Sequence, residues 1–156
     1  MMDKLRFLEI EFPELLSSIP VDTAPLFGKM NVLQMIEHMA YAFQQASGLV
    51  VHPAIHDAET TQKMYRFMMS DKPFRDNTPN PYLPDEPLPA SYAAQPQAIE
   101  ALKQAIQVFK ETFTNQPEKR LLNPFFGELN FEEWTHLLFK HSWHHLRQFG
   151  INQNID

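Results

Sequence analysis

Apolar residues recur along this chain at steps of three and four, the period of helices packed on one side. Ile99, Leu102, Ile106, Phe109 and Phe113 form one seam, with Lys103, Gln104, Lys110 and Glu111 turned to water. Met35, Met39, Ala42, Phe43 and Ala46 form a second, behind Asn31 and Gln34 at capping-box spacing. Leu5, Leu8, Phe12, Leu15, Leu16 and Ile19 form a third. Pro13 interrupts it and predicts a kink, or a helix restarting with the proline in its first turn. The pattern predicts four main helices near 3–18, 31–48, 96–114 and 130–149, with a short one over 57–69 carrying Met64, Phe67 and Met68. The fold expected is an all-α four-helix bundle without a sheet, formed as a single domain over 1–156.

Residues 72–95 break the pattern. Seven prolines fall from Pro73 to Pro96, and Asn77-Thr78-Pro79-Asn80-Pro81 is turn chemistry throughout. Phe74, Tyr82, Leu83, Leu88 and Tyr92 are spaced along the stretch as apolar anchors, so it reads as a strap wrapped onto the bundle. A connection this long between the second and third main helices lets them run the same way. As a secondary consequence it would wall a site.

The last predicted helix, NFEEWTHLLFKHSWHHLRQF over 130–149, opens with Asn130 and Glu133 at capping-box spacing and closes at Gly150. At about 100° per residue, Trp134, Leu138, His141, His145 and Gln148 share one narrow stripe. The stripe starts apolar and turns to imidazole without changing face. An inward histidine is ordinarily a hydrogen-bonded core residue, but two placed four apart can aim ring nitrogens at one point and offer a metal two ligands. His144 lies to one side of the stripe and His136 opposite, so neither joins the pair. His52 and His56 are also four apart, but Pro53 between them suits the first position of a new helix, and the two need not share a face.

Composition narrows the function. The chain has 156 residues, 44% of them hydrophobic, and a net charge of −6. No cluster of Lys or Arg exceeds Lys119-Arg120, so nothing would neutralise phosphates and no nucleic-acid partner is expected. No apolar run approaches the roughly 20 residues of a membrane span. The start carries no signal-peptide pattern, and there are no cysteines, which together favour the cytoplasm. Glycine-rich phosphate loops and a Gly-x-Ser-x-Gly elbow are both missing, which removes nucleotide and serine-hydrolase chemistry.

His141-x-x-x-His145-x-x-Gln148 resembles the last-helix motif of the DinB/YfiT-like four-helix metal-binding proteins. The words Asn123-Pro124-Phe125-Phe126-Gly127, Glu133-Trp134 and His144-His145-Leu146-Arg147-Gln148-Phe149-Gly150 are similar to a subgroup of it. The resemblance implies a third histidine from the second helix, at the position of His38. Periodicity alone makes His38 a boundary residue, about 100° from the centre of its helix's core face. A set of His38, His141 and His145 would suit zinc or nickel and allow iron(II), and would leave a coordination position open. Such an ion lowers the pKa of a bound water or thiol. Relatives by resemblance include thiol S-transferases and a thiol-dependent isomerase. They imply a small-molecule substrate and a low-molecular-weight thiol, which must come from outside a chain without cysteine. Gln148 is a candidate to orient a ligand or a substrate, or a polar residue satisfied at the bundle end. The alternative is a non-catalytic bundle that binds a small ligand or protein partner, with structural histidines.

Phe139, Trp143 and Leu146 form a second apolar face on the same helix, roughly opposite the histidines. A surface helix should be polar there. The strap or a second copy of the chain must cover the face, and we expect a homodimer through these three residues.

Overall fold

The computed structural model describes residues 3–76 and 80–153. Helical segments Lys4–Arg6, Phe7–Glu11 and Phe12–Ser18 follow one another without a break and make up α1. The middle segment is π-helical, with the Phe12 N–H reaching back to the Phe7 carbonyl. Pro13 explains it: a proline ring collides with the carbonyl four residues earlier, here Glu9, and a wider turn relieves the clash. The helix thus absorbs Pro13 in the first turn of its last segment. The other helices are α2 (Val32–Ala46), α3 (Ala58–Met69), α4 (Gln95–Asn115) and α5 (Phe131–Gln148).

Local chemistry sets these boundaries. Full capping boxes start α2, from Asn31 with Gln34, and α5, from Asn130 with Glu133. The Asp57 carboxylate accepts from the Thr60 N–H at 2.8 Å and starts α3. The helix over 57–69 thus begins where the sequence places it, and Pro53 lies ahead of it outside any helix. At the end of α5, Gly150 sits at φ 90°. Its N–H donates to the Arg147 carbonyl at 3.0 Å, and the Ile151 N–H donates to the Leu146 carbonyl at 2.9 Å. That pair of bonds is a Schellman closure, and it needs the left-handed residue between them.

Contacts fix the directions. Gln95 Nε2 donates to the Leu16 carbonyl at 2.7 Å while Lys110 pairs with Glu9 at 3.2 Å, so α1 and α4 are antiparallel. The chain enters α4 beside Glu37 and reaches Phe43 of α2 at Phe109, ring centroids 5.7 Å apart, so α2 and α4 run the same way. α5 runs with α1, since Lys4 meets His136 and Phe7 meets Phe139 and Trp143. This is the bundle with a crossover that the spacing predicts. Its core is formed by Phe7, Leu8, Phe12 and Leu16 with Met35, Met39 and Phe43, and by Leu102, Phe109 and Trp134, all essentially without exposure.

The strap lies against the bundle as expected, but its fastenings are largely polar. Phe74 packs on the core and stacks near Phe126 at 6.2 Å, and Tyr82 is half-buried. Leu88 and Tyr92 are exposed, contrary to their reading as anchors. The Ser91 N–H donates to the Glu37 carboxylate at 2.8 Å, and Gln34 Nε2 donates to the Leu88 carbonyl at 2.9 Å. The charged and amide face of α2 thus holds the backbone of the strap near 88–91, leaving the Leu88 and Tyr92 side chains outside.

Two further differences concern α5. Its approach forms a small antiparallel hairpin, β1 (Leu121–Asn123) with β2 (Gly127–Leu129), where no sheet was expected. Asn123 Oδ1 accepts from the N–H groups of Phe125 and Phe126 at 2.9 and 3.2 Å, making the turn, and Gly127 at φ 90° completes it. Six strand residues around a turn carry too little alternation to read in advance. The second correction is larger. Phe139, Trp143 and Leu146 are buried within the chain, and Phe7 of α1 lies against the first two, with ring centroids 5.2 Å from Phe139 and 5.1 Å from Trp143. α5 is the central helix, buried on nearly every side, so its apolar second face needs no partner copy to cover it. Among the described residues no helix is long and apolar enough to cross a membrane.

Candidate functional site

Three histidines meet between α2 and α5. His38 leaves the margin of the α2 core face, while His141 and His145 project from α5 one turn apart. His38 Nε2 lies 3.1 Å from His141 Nε2, and His145 Nε2 lies 3.0 Å from the same atom. Their ligand atoms all fall within 4.8 Å of one another. His38 is on the margin by periodicity, yet it joins the pair because the site lies at the seam of two helices.

The His145 ring is fixed from outside the trio. Gln148 Nε2 donates to the Phe27 carbonyl at 2.9 Å, and Gln148 Oε1 lies 2.8 Å from His145 Nδ1. A backbone carbonyl only accepts, so the amide nitrogen must face it and the amide oxygen must face the histidine. His145 Nδ1 therefore donates. In the neutral ring that leaves Nε2 with a lone pair, directed at His141.

Burial keeps the cluster neutral. Desolvation, with a contribution from His144, pushes the His38 imidazole down to about 4. Burial and then the neighbouring imidazoles hold His141 and His145 well below the ordinary histidine range. Three neutral rings leave a definite mismatch. An imidazole nitrogen carries either a proton or a lone pair, so His141 Nε2 cannot donate to one neighbour and accept from the other. Of its two short contacts, a proton on His141 or His38 can satisfy one at a time. A cation at the common focus satisfies all three lone pairs together, and the donor set therefore fits a divalent metal ion.

The remaining histidines are engaged elsewhere. His136 Nδ1 accepts from Lys4 Nζ at 2.8 Å on the opposite side of α5. His52 Nε2 is hydrogen-bonded to the Tyr41 hydroxyl at 2.5 Å and the ring stacks on Tyr82 at 4.3 Å, whereas His56 is exposed near Phe125. His52 and His56 thus do not share a site. His144 packs between Phe27 and His145, with centroids 5.3 and 4.9 Å away, and borders the trio without joining it. A cavity of about 650 Å³ lies by Tyr65, Arg120 and Glu133 at the start of α5. Three of its polar side chains are engaged with one another: Tyr65 donates to Glu133, Arg120 lies 3.6 Å from the same carboxylate, and Glu133 also closes the capping box.

Two contributors escape sequence reasoning. The Phe27 carbonyl is backbone and leaves no trace in residue type. Lys140 precedes His141 and looks like a solvated charge, but its Nζ donates to the carbonyls of Phe67, Met68 and Ser70 at 3.0–3.1 Å. It also lies over the rings of Phe67 and Phe74 at 4.9 and 4.6 Å. The ammonium closes the C-terminal end of α3 and ties it to the helix that carries two of the three histidines.

Fold and site together define a four-helix bundle with a crossover and a histidine trio that could hold a metal ion. The chain belongs to the DinB superfamily, whose family model matches residues 10–149. No curated protein and no solved structure gives a significant match.

Proposed function

We propose that this protein is a metal-dependent enzyme in which His38, His141 and His145 hold one divalent ion, zinc or nickel before iron(II). The observation that carries the reading is the contact pair at His141 Nε2, 3.1 Å to His38 and 3.0 Å to His145, which no arrangement of neutral protons satisfies. The ion, when bound, supplies Lewis acidity that brings a water or a low-molecular-weight thiol into its nucleophilic form near neutral pH. The residues of the chain do the rest. Three imidazoles bring no negative charge, so the ion keeps its full positive charge for the nucleophile. Gln148 orients His145 from behind and is spent on that task, with both ends of its amide engaged. Because the chain has no cysteine, any thiol is a cosubstrate, and the reaction class is attack on an electrophilic small molecule by thiol transfer or hydrolysis.

The test is reconstitution of chelator-stripped protein with zinc, nickel or iron(II), followed by turnover of electrophilic substrates with and without a panel of small thiols. Metal-dependent turnover that the His145→Ala variant lacks supports the reading. Stoichiometric metal without turnover would leave a metal-binding protein and overturn the enzyme. Absence of metal uptake would favour a non-catalytic bundle.

A further inference from the structure

We propose that Phe27 and Gln148 form a relay that selects the tautomer of His145, so that the connector before α2 helps to set the affinity of the metal site. The inference rests on the three-histidine reading given above, and concerns how that site is prepared before any ion arrives.

The chain of cause is short. The Phe27 carbonyl takes the Gln148 amide nitrogen at 2.9 Å, which turns the amide oxygen to His145 Nδ1 at 2.8 Å. The proton on Nδ1 then leaves a lone pair on Nε2, 3.0 Å from His141 Nε2. Gln148 and His145 are 3% and 4% exposed, so water cannot stand in for a missing partner. The same residue grips the connector through its backbone: the Leu26 N–H donates to the Gln148 carbonyl at 2.7 Å. Glutamine is the side chain that meets both demands. Leucine of similar size serves neither. Glutamate would accept from His145 Nδ1 but would set a carboxylate oxygen against the Phe27 carbonyl with no proton between them.

Coupling of this kind runs in both directions. An ion drawing on the Nε2 lone pair makes the Nδ1–H a stronger donor. The bonds through Gln148 to Phe27 strengthen, and the Leu26–Phe27 stretch becomes more ordered. The connector is then an outer layer of the site rather than a passive link.

Long-range proton–nitrogen NMR of the imidazoles in metal-free protein tests the first step without any metal. The wild type should show His145 protonated at Nδ1. Gln148→Leu should show a mixture or the Nε2–H form, and zinc affinity measured by chelator competition should fall about 10–100-fold. Gln148→Glu should keep the Nδ1–H tautomer, because a carboxylate oxygen still accepts there, although the Phe27 carbonyl loses its donor. Finding His145 protonated at Nε2 in the wild type, or unchanged in Gln148→Leu, would overturn the relay. The wild-type spectrum decides this even if the leucine variant does not fold. Correct tautomers with no zinc uptake would instead sink the metal reading and leave the relay standing.

Discussion

Phe7 of α1 lies against Trp143 of α5, with ring centroids 5.1 Å apart and planes 23° from parallel. Phe7 is also edge-on to Phe139 and 1% exposed. The aromatic face of α5 is therefore an internal surface, and α1 packs on the central helix through it. Phe7→Ala should destabilise the protein by about 3–5 kcal/mol, the usual cost of deleting a buried aromatic ring. Trp143→Glu should unfold the bundle, since it buries a charge without a partner. Denaturant unfolding with light scattering checks both. A Trp143→Glu protein that stays folded and only changes its state of association would contradict this account.

Lys140 supports a second prediction. Its ammonium satisfies the carbonyls of Phe67, Met68 and Ser70, where α3 ends. Lys140→Met keeps the stem but takes the donor from the Met68 and Ser70 carbonyls, while Phe67 keeps Ser70 as a partner, at a cost of about 1–3 kcal/mol. The loss should be concentrated at α3, seen as faster hydrogen exchange over 66–70 with little change in α4. Uniformly accelerated exchange would contradict the assignment.

Much of this was legible in the sequence, for identifiable reasons. Capping boxes at Asn31 and Asn130 and the closing Gly150 are local signals, written in the residues that execute them. The histidine stripe is legible because 141, 145 and 148 share a helical face. Other features depend on what another element supplies. The cover over Trp143 comes from Phe7, far away in sequence, and the Gln148 tether ends on a backbone carbonyl. The hairpin at 121–129 rests on one asparagine side chain and one glycine, too little pattern to register. Leu88 and Tyr92 misled because apolar residues on a strap look like anchors, whereas Gln34 and Glu37 hold its backbone instead.

Those polar fastenings yield a third prediction. Replacing Glu37 with Ala removes the acceptor for the Ser91 N–H, bonded at 2.8 and 2.9 Å to its two oxygens. Hydrogen exchange at Ser91 should quicken by about tenfold, as expected for a lost bond of roughly 1 kcal/mol or a little more. The melting point of the bundle should hardly move, because the core is untouched. A large fall in melting temperature would mean that the strap carries more of the fold than these bonds suggest.

Acid sensitivity of the metal-free protein gives a fourth. His38, lowered by burial to about 4 from an ordinary 6.5, is neutral in the folded chain where the unfolded chain would take a proton. His141 and His145 are also lowered, first by burial, and burial lowers His136 and His144 too. A depressed histidine pKa means that the unfolded state binds more protons below pH 6.5, so stability falls as pH drops through that window. His38 alone would contribute a loss of roughly 3 kcal/mol between pH 6.5 and 4. Urea unfolding of chelator-treated protein across this range should show a falling midpoint. A midpoint independent of pH from 6.5 to 4.5 would contradict the buried neutral cluster.

The central claim is that His38, His141 and His145 converge on one ion, and metal content measures it most directly. Chelator-stripped protein, reconstituted with zinc and dialysed, should retain close to one equivalent by elemental analysis. His38→Ala, His141→Ala and His145→Ala should each lose it, while His136→Ala and His52→Ala, whose rings are engaged with Lys4 and Tyr41, should keep it. Equal metal content in all five variants would contradict the account.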